Sequence, residues 1–320
     1  MSERYIYAVA RIRKKELELL NSDFLEQLLA APDEASCLRL LTERGFGKPG
    51  QSAEEILEEE NKKIWDLMRD LIGDLSVFNV FLYEIDFHNL KAAVKENCVA
   101  LSHPGTYRSG GTVSGEALQK ALLTRDYAKL PENMQAAAKD ALETLLQTRD
   151  GQLCDLIIDR AALEAIYAAG KKTDSGILSL YSELTVACAD IKIAIRSANM
   201  KKSKEFADRS IAACDTIDKS RLVKAASEDQ EAVIRYLENT SYSGCIDEIR
   251  TSPAALERWC DNLLIRKIRP QKSNPFGIDP LAAYCLARQS EIKNVRIILT
   301  GKRNHFPEEG IRGRIRETYV

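Results

Sequence analysis

The sequence predicts an all-α protein built from three similar helical units. Three observations carry that expectation. Apolar residues recur at helical spacing through most of the chain, between side chains suited to helix ends. Glycine (16) and proline (9) are scarce among 320 residues, and most prolines stand at apparent helix edges. A polar pattern near Asp86 returns near Glu291, which is how an internal repeat shows itself.

The elements follow in order. Leu17, Leu20, Phe24 and Leu28 predict one helix, from about Tyr5, that closes at Pro32. Ala35 to Leu41 predicts a second, ended by Gly45-Phe46-Gly47, with a turn at Lys48-Pro49-Gly50-Gln51. Ser52 and Glu55 have capping-box spacing and open a long helix to about Gly73. A further helix is expected from about Asp74 to Asn97, with Phe78, Leu82, Ile85 and Asn89 on one stripe. His103 to Thr112 is the longest run of turn signals and reads as a linker. Helices follow around Leu118–Leu123, after Pro131, around Cys154–Ala169 and from Gly176 to Met200. The polar run Lys201–Lys204 starts the last unit. There Ser227 and Gln230 match a capping box before Ala232–Leu237, and Ser252-Pro253 opens a helix through Ile265.

The clearest single helix is the closing one, Asp279 to Gly301. Asp279 suits the N-cap, Pro280 the first helical position, Gly301 the stop, and Lys302 and Arg303 the negative end of the helix dipole. Leu281, Cys285, Ile292, Val295 and Leu299 form its apolar stripe. Arg288 falls inside that stripe with Glu291 one turn on. A charge on an apolar face needs a partner, so an Arg288–Glu291 pair is expected.

The repeat sets the unit boundaries at 1–99, 100–200 and 201–320. Asp86-Phe87-His88-Asn89-Leu90-Lys91 and Glu291-Ile292-Lys293-Asn294-Val295-Arg296 share the order acid, apolar, basic or His, Asn, apolar, cation. The middle unit has Asp190-Ile191-Lys192-Ile193, which keeps the acid and Lys but loses the Asn. Arg39-Leu40-Leu41 before Gly45-Phe46-Gly47 also matches Arg235-Tyr236-Leu237 before Ser241-Tyr242-Ser243. Asp86 with Asn89, and Glu291 with Asn294, share a helix face and read as buried polar networks that fix helix packing rather than as a ligand site. Lys91 and Arg296 lie five residues beyond the acids, about 140° round the helix, and do not complete a compact site.

Composition narrows the function further. With 45% hydrophobic and 29% charged residues the chain can bury a core. A net charge of -2 argues against a nucleic-acid binder. Eight cysteines with no C-x-x-C pair read as reduced thiols of a cytosolic protein. The start, Met1 to Tyr5, has no apolar signal core, and no run approaches the ~20 apolar residues of a spanning helix, so membrane association is expected through a partner. Enzyme signatures are missing: His88, His103 and His305 lack ligand spacing, and Lys48–Ser52 lacks Walker A spacing. No catalytic residue, cofactor or metal is expected. The basic tail (Lys302, Arg303, Arg312, Arg314, Arg316) suits either an acidic partner or lipid heads, or a solvated helix balanced by Glu308, Glu309 and Glu317.

Asp279-Pro280-Leu281, Arg296 through Lys302, and Ile311 through Val320 together resemble the C-terminal signature of the C/AC39 family. These are the C subunits of V/A-type rotary ATPases, equivalent to the d subunit of the eukaryotic vacuolar enzyme. Tyr5 through Arg13, Leu19-Leu20, Phe24-Leu25 and Asp86 through Lys91 are similar as well. The resemblance implies three bundles around a pseudo-threefold axis, shaped as a funnel. It implies a non-catalytic central-stalk socket, peripheral on the cytoplasmic face of a membrane. Its partners would be the central shaft subunits and the rotor ring of proteolipid subunits, in ATP-linked proton or sodium transport. Ile193 departs from the pattern and puts equal roles for the three units in question. The family transfers no compact set of contact residues. The competing readings are a cytosolic helical-repeat scaffold and a helical enzyme using Asp86 or Glu291.

Overall fold

Side chains that accept hydrogen bonds from the first free amides fix where most helices begin. The computed structural model describes residues 5–99 and 106–320. Among the described residues the regular structure is helical, with no strand. The α-helices are α1 (Ile6–Glu16), α2 (Ser22–Ala30), α3 (Glu34–Glu43), α4 (Ala53–Ile72), α5 (Tyr83–Val99), α6 (Gly115–Thr124), α7 (Glu132–Thr148) and α8 (Gly151–Lys171). The series continues with α9 (Gly176–Asn199), α10 (Lys204–Ser210), α11 (Lys219–Glu228), α12 (Gln230–Leu237), α13 (Ile246–Thr251), α14 (Pro253–Ile268), α15 (Asp279–Arg303) and α16 (Glu308–Arg312). Ser52 and Glu55 form the expected capping box, and Ser252 caps α14 with Pro253 at its start. A cap of this kind is worth about 1 kcal/mol.

Several sequence expectations change. The expected first helix is two. Asn21 accepts the Phe24 amide and starts α2 afresh, while Leu17, placed on the apolar stripe by spacing, is 86% exposed. The helix expected from Asp74 begins instead as a 3-10 turn at Ser76–Phe81. The buried face of α5 carries Asp86, Phe87, Asn89 and Leu90, whereas Leu82 and Ile85 are only partly buried. Asp229, not Ser227, caps α12 by accepting the Ala232 amide, and Ser227 donates to the Lys224 carbonyl. A carboxylate placed directly before the first turn outcompetes a hydroxyl two residues further back. Of the expected linker, His103 to Gly105 lie outside the described residues.

The closing helix is also re-used. The Asp279 carboxylate does not cap its own helix. It accepts from the Ser175 hydroxyl and the Ile177 amide at the start of α9. Helix α15 runs past Gly301 to Arg303. Gly301 instead lets Ile311 close in: a Cβ there would lie 2.6 Å from the Ile311 side chain. Lys302 donates to the Leu29 and Ala31 carbonyls and so satisfies the end of α2.

The chain folds into two compact units. The first comprises Met1–Leu75, Ser175–Ile177 and Asp247–Val320. Its centre is α15, which packs against α1, α2, α3 and α4. The expected stripe Leu281, Cys285, Ile292, Val295 and Leu299 is buried, and the first two turns are buried all round. The second unit comprises Ser76–Asp174 and Leu178–Ile246. There α5 packs on α6, α7 and α8 over a core that includes Phe87, Leu90, Leu118, Leu122, Met134 and Ile158. Burying such side chains contributes roughly 1.5–3 kcal/mol each.

Candidate functional site

The repeated acid–Asn pattern becomes a repeated piece of geometry. On α5 the Asn89 Oδ1 accepts the Arg108 amide at 2.8 Å, while its Nδ2 donates to the Arg108 carbonyl at 2.9 Å. On α15 the Asn294 Oδ1 accepts the Arg316 amide at 2.8 Å, and its Nδ2 donates to the Arg316 carbonyl at 3.1 Å. Each carboxamide thus closes a two-bond clamp on one non-helical residue further along the chain. A carboxamide holds an acceptor and a donor side by side, which is what such a clamp requires.

The acids hold backbone too. Asp86 is 1% exposed and accepts from the Thr112 amide (2.7 Å), the Thr112 hydroxyl (2.6 Å) and the Val113 amide (3.2 Å). Burial pushes its carboxyl above the ordinary value, and the bonds from Thr112 and Val113 pull it back. Glu291 accepts the Leu20 amide and pairs with Arg288. The expected Arg288–Glu291 pair is therefore present, but it belongs to a larger network. Arg288 also reaches Glu60, which accepts the Gly47 amide at 2.9 Å and pairs with Lys63. The Arg288 guanidinium lies 5.3 Å from the Phe46 ring centre. The side chains of Arg288, Glu60 and Glu291 are 11%, 3% and 6% exposed, so these charges are matched inside the fold.

The cations of the pattern diverge. Lys91 bonds Asp159 on α8 at 2.5 Å, whereas Arg296 is exposed. The basic tail is largely engaged within its own unit. Arg303 pairs with Glu34 and Glu54, Arg312 with Glu26 and Glu308, and Arg316 with Glu257 and Asp261.

The middle copy solves the same problem with the expected acid, Asp190, and one residue the pattern did not flag, Glu183. Ile193 stands where the other copies have Asn. Asp190 accepts the Ala212 amide at 2.9 Å. Glu183 accepts the Thr216 amide (2.8 Å), the Thr216 hydroxyl (2.6 Å) and the Asp215 amide (3.4 Å). Glu183 lies seven residues before Asp190, two helical turns away and on nearly the same face. That acid-to-acid spacing is the signal that could have found it.

These sites are built to hold chain. Each acid above is engaged by backbone donors, hydroxyls or cations, and only the Asp190 Oδ2 among them is left buried without a partner. Among the described residues no group of three or more His, Cys, Asp and Glu side chains could hold a metal ion. Burial pushes the thiols of Cys37 and Cys154 up to about 11 and that of Cys214 up to about 12, far from a reactive thiolate at neutral pH. Among the described residues no helix is long and apolar enough to cross a membrane.

The sequence profile of the ATP synthase (C/AC39) subunit family matches residues 8–314. The chain belongs to the C/AC39 subunit family of V/A-type ATPases. Its similarity to individual C/AC39 proteins is distant but runs end to end. The C subunit of the V-type sodium ATPase of Enterococcus hirae is 25% identical over 322 residues, covering 96% of this chain and 97% of that one. The C subunit of the V-type ATP synthase of Thermus thermophilus is 24% identical over 329 residues, covering 96% of each. The C subunit of the A-type ATP synthase of Methanocaldococcus jannaschii is 22% identical over 341 residues, covering 96% of this chain and 85% of that one. The C/AC39 match takes in α2 through α16 whole, and with them both acid–Asn copies.

Proposed function

We propose that this C/AC39 subunit is a non-catalytic adaptor of the central stalk in a V/A-type rotary ATPase. It is a socket on the cytoplasmic face of the membrane rotor ring, peripheral to the membrane. The foot of the central shaft sits in the socket, and torque passes between the ATPase head and the ring of proteolipid subunits. The match to the family across residues 8–314 carries this reading. A torque adaptor must be stiff, and tethers that join helix faces to distant backbone suit that demand. The family reading also implies three related bundles, 1–99, 100–200 and 201–320, around a pseudo-threefold axis as a funnel, and the matching clamps at Asn89 and Asn294 suit a relation between the first and third. The residues of the acid–Asn pattern then serve as its framework, not as catalysts. Relatives carry sodium ATPase as well as ATP synthase names, and on this reading the choice between proton and sodium belongs to the ring.

The test is co-purification from native membranes with the full-length tagged protein. Shaft subunits and ring proteolipids are expected together with it. Capture of neither, alongside unchanged ATP-driven ion pumping in a deletion strain, overturns the proposal in favour of a free helical scaffold.

A further inference from the structure

The segment Ile211–Ile217, which follows α10, is tied to α9 by acids rather than by an asparagine, and this sets it apart from its two counterparts. Ile211, Ala212 and Ile217 are buried. The Ala212, Asp215 and Thr216 amides donate to Asp190 and Glu183. The other copies use an asparagine, whose bonding does not change with pH.

Asp190 is completely buried. Its Oδ1 takes the Ala212 amide, while its Oδ2 is buried without a hydrogen-bond partner. A carboxylate with an unpaired oxygen away from water is costly, and a neutral carboxyl far less so. The charged neighbours do not remove that cost. Arg160 of α8 and Lys219 of α11 attract Asp190 without bonding it, and they are engaged by Glu164 (2.7 Å) and Asp208 (3.6 Å). Cys214, on the segment itself, also faces Asp190 and stays a neutral thiol, pushed up to about 12.

We propose that Asp190 is a protonation-dependent latch that holds the Ile211–Ile217 segment against α9 more tightly when its carboxyl is neutral. Burial pushes this carboxyl up to about 7, with the Ala212 amide pulling the other way. The folded value lies above the ordinary unfolded one of about 3.9. Its stabilising contribution is therefore complete below about pH 4 and is lost as pH rises through about 7. The latch follows from this segment's own contacts and stands whether or not the subunit sits in a rotary complex.

The experiment follows aspartate side-chain carboxyls by carbon NMR in the full-length protein, with hydrogen exchange of residues 211–217, in wild type and Asp190→Asn. One carboxyl signal, missing from the variant, is expected to titrate near pH 7. Opening of the segment, corrected for intrinsic exchange, is expected to rise about tenfold from pH 6 to 8 in wild type and to stay flat in the variant. A wild-type spectrum with no aspartate titrating between pH 6 and 8 overturns the latch, even if the variant fails to fold. Parallel exchange profiles in the two proteins do the same.

Discussion

Replacing Asn294 by alanine tests whether the clamp ties down the chain end. Asn294 is 1% exposed, and both its bonds to Arg316 are buried. Alanine leaves one buried N–H and one buried C=O without partners. Each such group costs about 1–3 kcal/mol, so the segment loses about 2–6 kcal/mol of local stability, with about 3 as a working value. At 1.4 kcal/mol per factor of ten, protection of the Arg316 amide falls roughly 100-fold. Hydrogen exchange of the 314–320 peptide reads that loss directly, without assuming that a protein of two compact units unfolds in one step. Asn294→Asp is the sharper variant: it keeps the acceptor for the Arg316 amide but points a charge at the Arg316 carbonyl. Asn89→Ala is expected to cost less, because Arg108 is partly exposed and water can take up its freed groups. A change below tenfold at Arg316 in both Asn294 variants would falsify the clamp as a tether.

Two further substitutions test the packing. Arg288→Ala leaves Glu60 and Glu291 buried without their shared cation, so a loss of about 3–5 kcal/mol is expected, seen as a drop in the melting temperature. Gly170→Ala puts a methyl group onto Ser182 and within 3.1 Å of the Leu178 carbonyl. Overpacking of about 1–3 kcal/mol is expected there, and Ser182→Gly in the same chain should relieve it; an unrelieved double variant points to a different cause.

The sequence made the helices legible and their edges less so. Periodicity located α4, α7, α8, α9, α14 and α15 because each is long and half-buried. It misread the start of the chain, since Leu17 keeps the spacing of a core residue while Asn21 breaks the helix. It marked Asp279 and Lys302 as end signals of their own helix. Their side chains instead serve the ends of α9 and α2, a use visible only once distant termini have come together. The Arg288–Glu291 pair was readable because both partners lie one turn apart. Glu60, from another helix far back in the chain, was not.

The acid–Asn pattern repeats imperfectly for a chemical reason. A clamp on one backbone residue needs an acceptor for its N–H and a donor for its C=O, and a carboxamide supplies both from one position. A carboxylate supplies acceptors only. Once Ile193 replaces the amide, the acids of α9 can hold the segment after α10 only through its N–H and O–H groups, and a single acid at Asp190 reaches just one of them. A second acid is then required, and Glu183 meets it two turns back, where it collects Asp215 and Thr216. The middle copy therefore exchanges one pH-independent amide for two carboxylates, one of them buried with an unpaired oxygen. Asp190 keeps the acid position of Asp86 and Glu291, but with no Asn beside it and one oxygen unpaired, it is the acid on which the proposed latch turns.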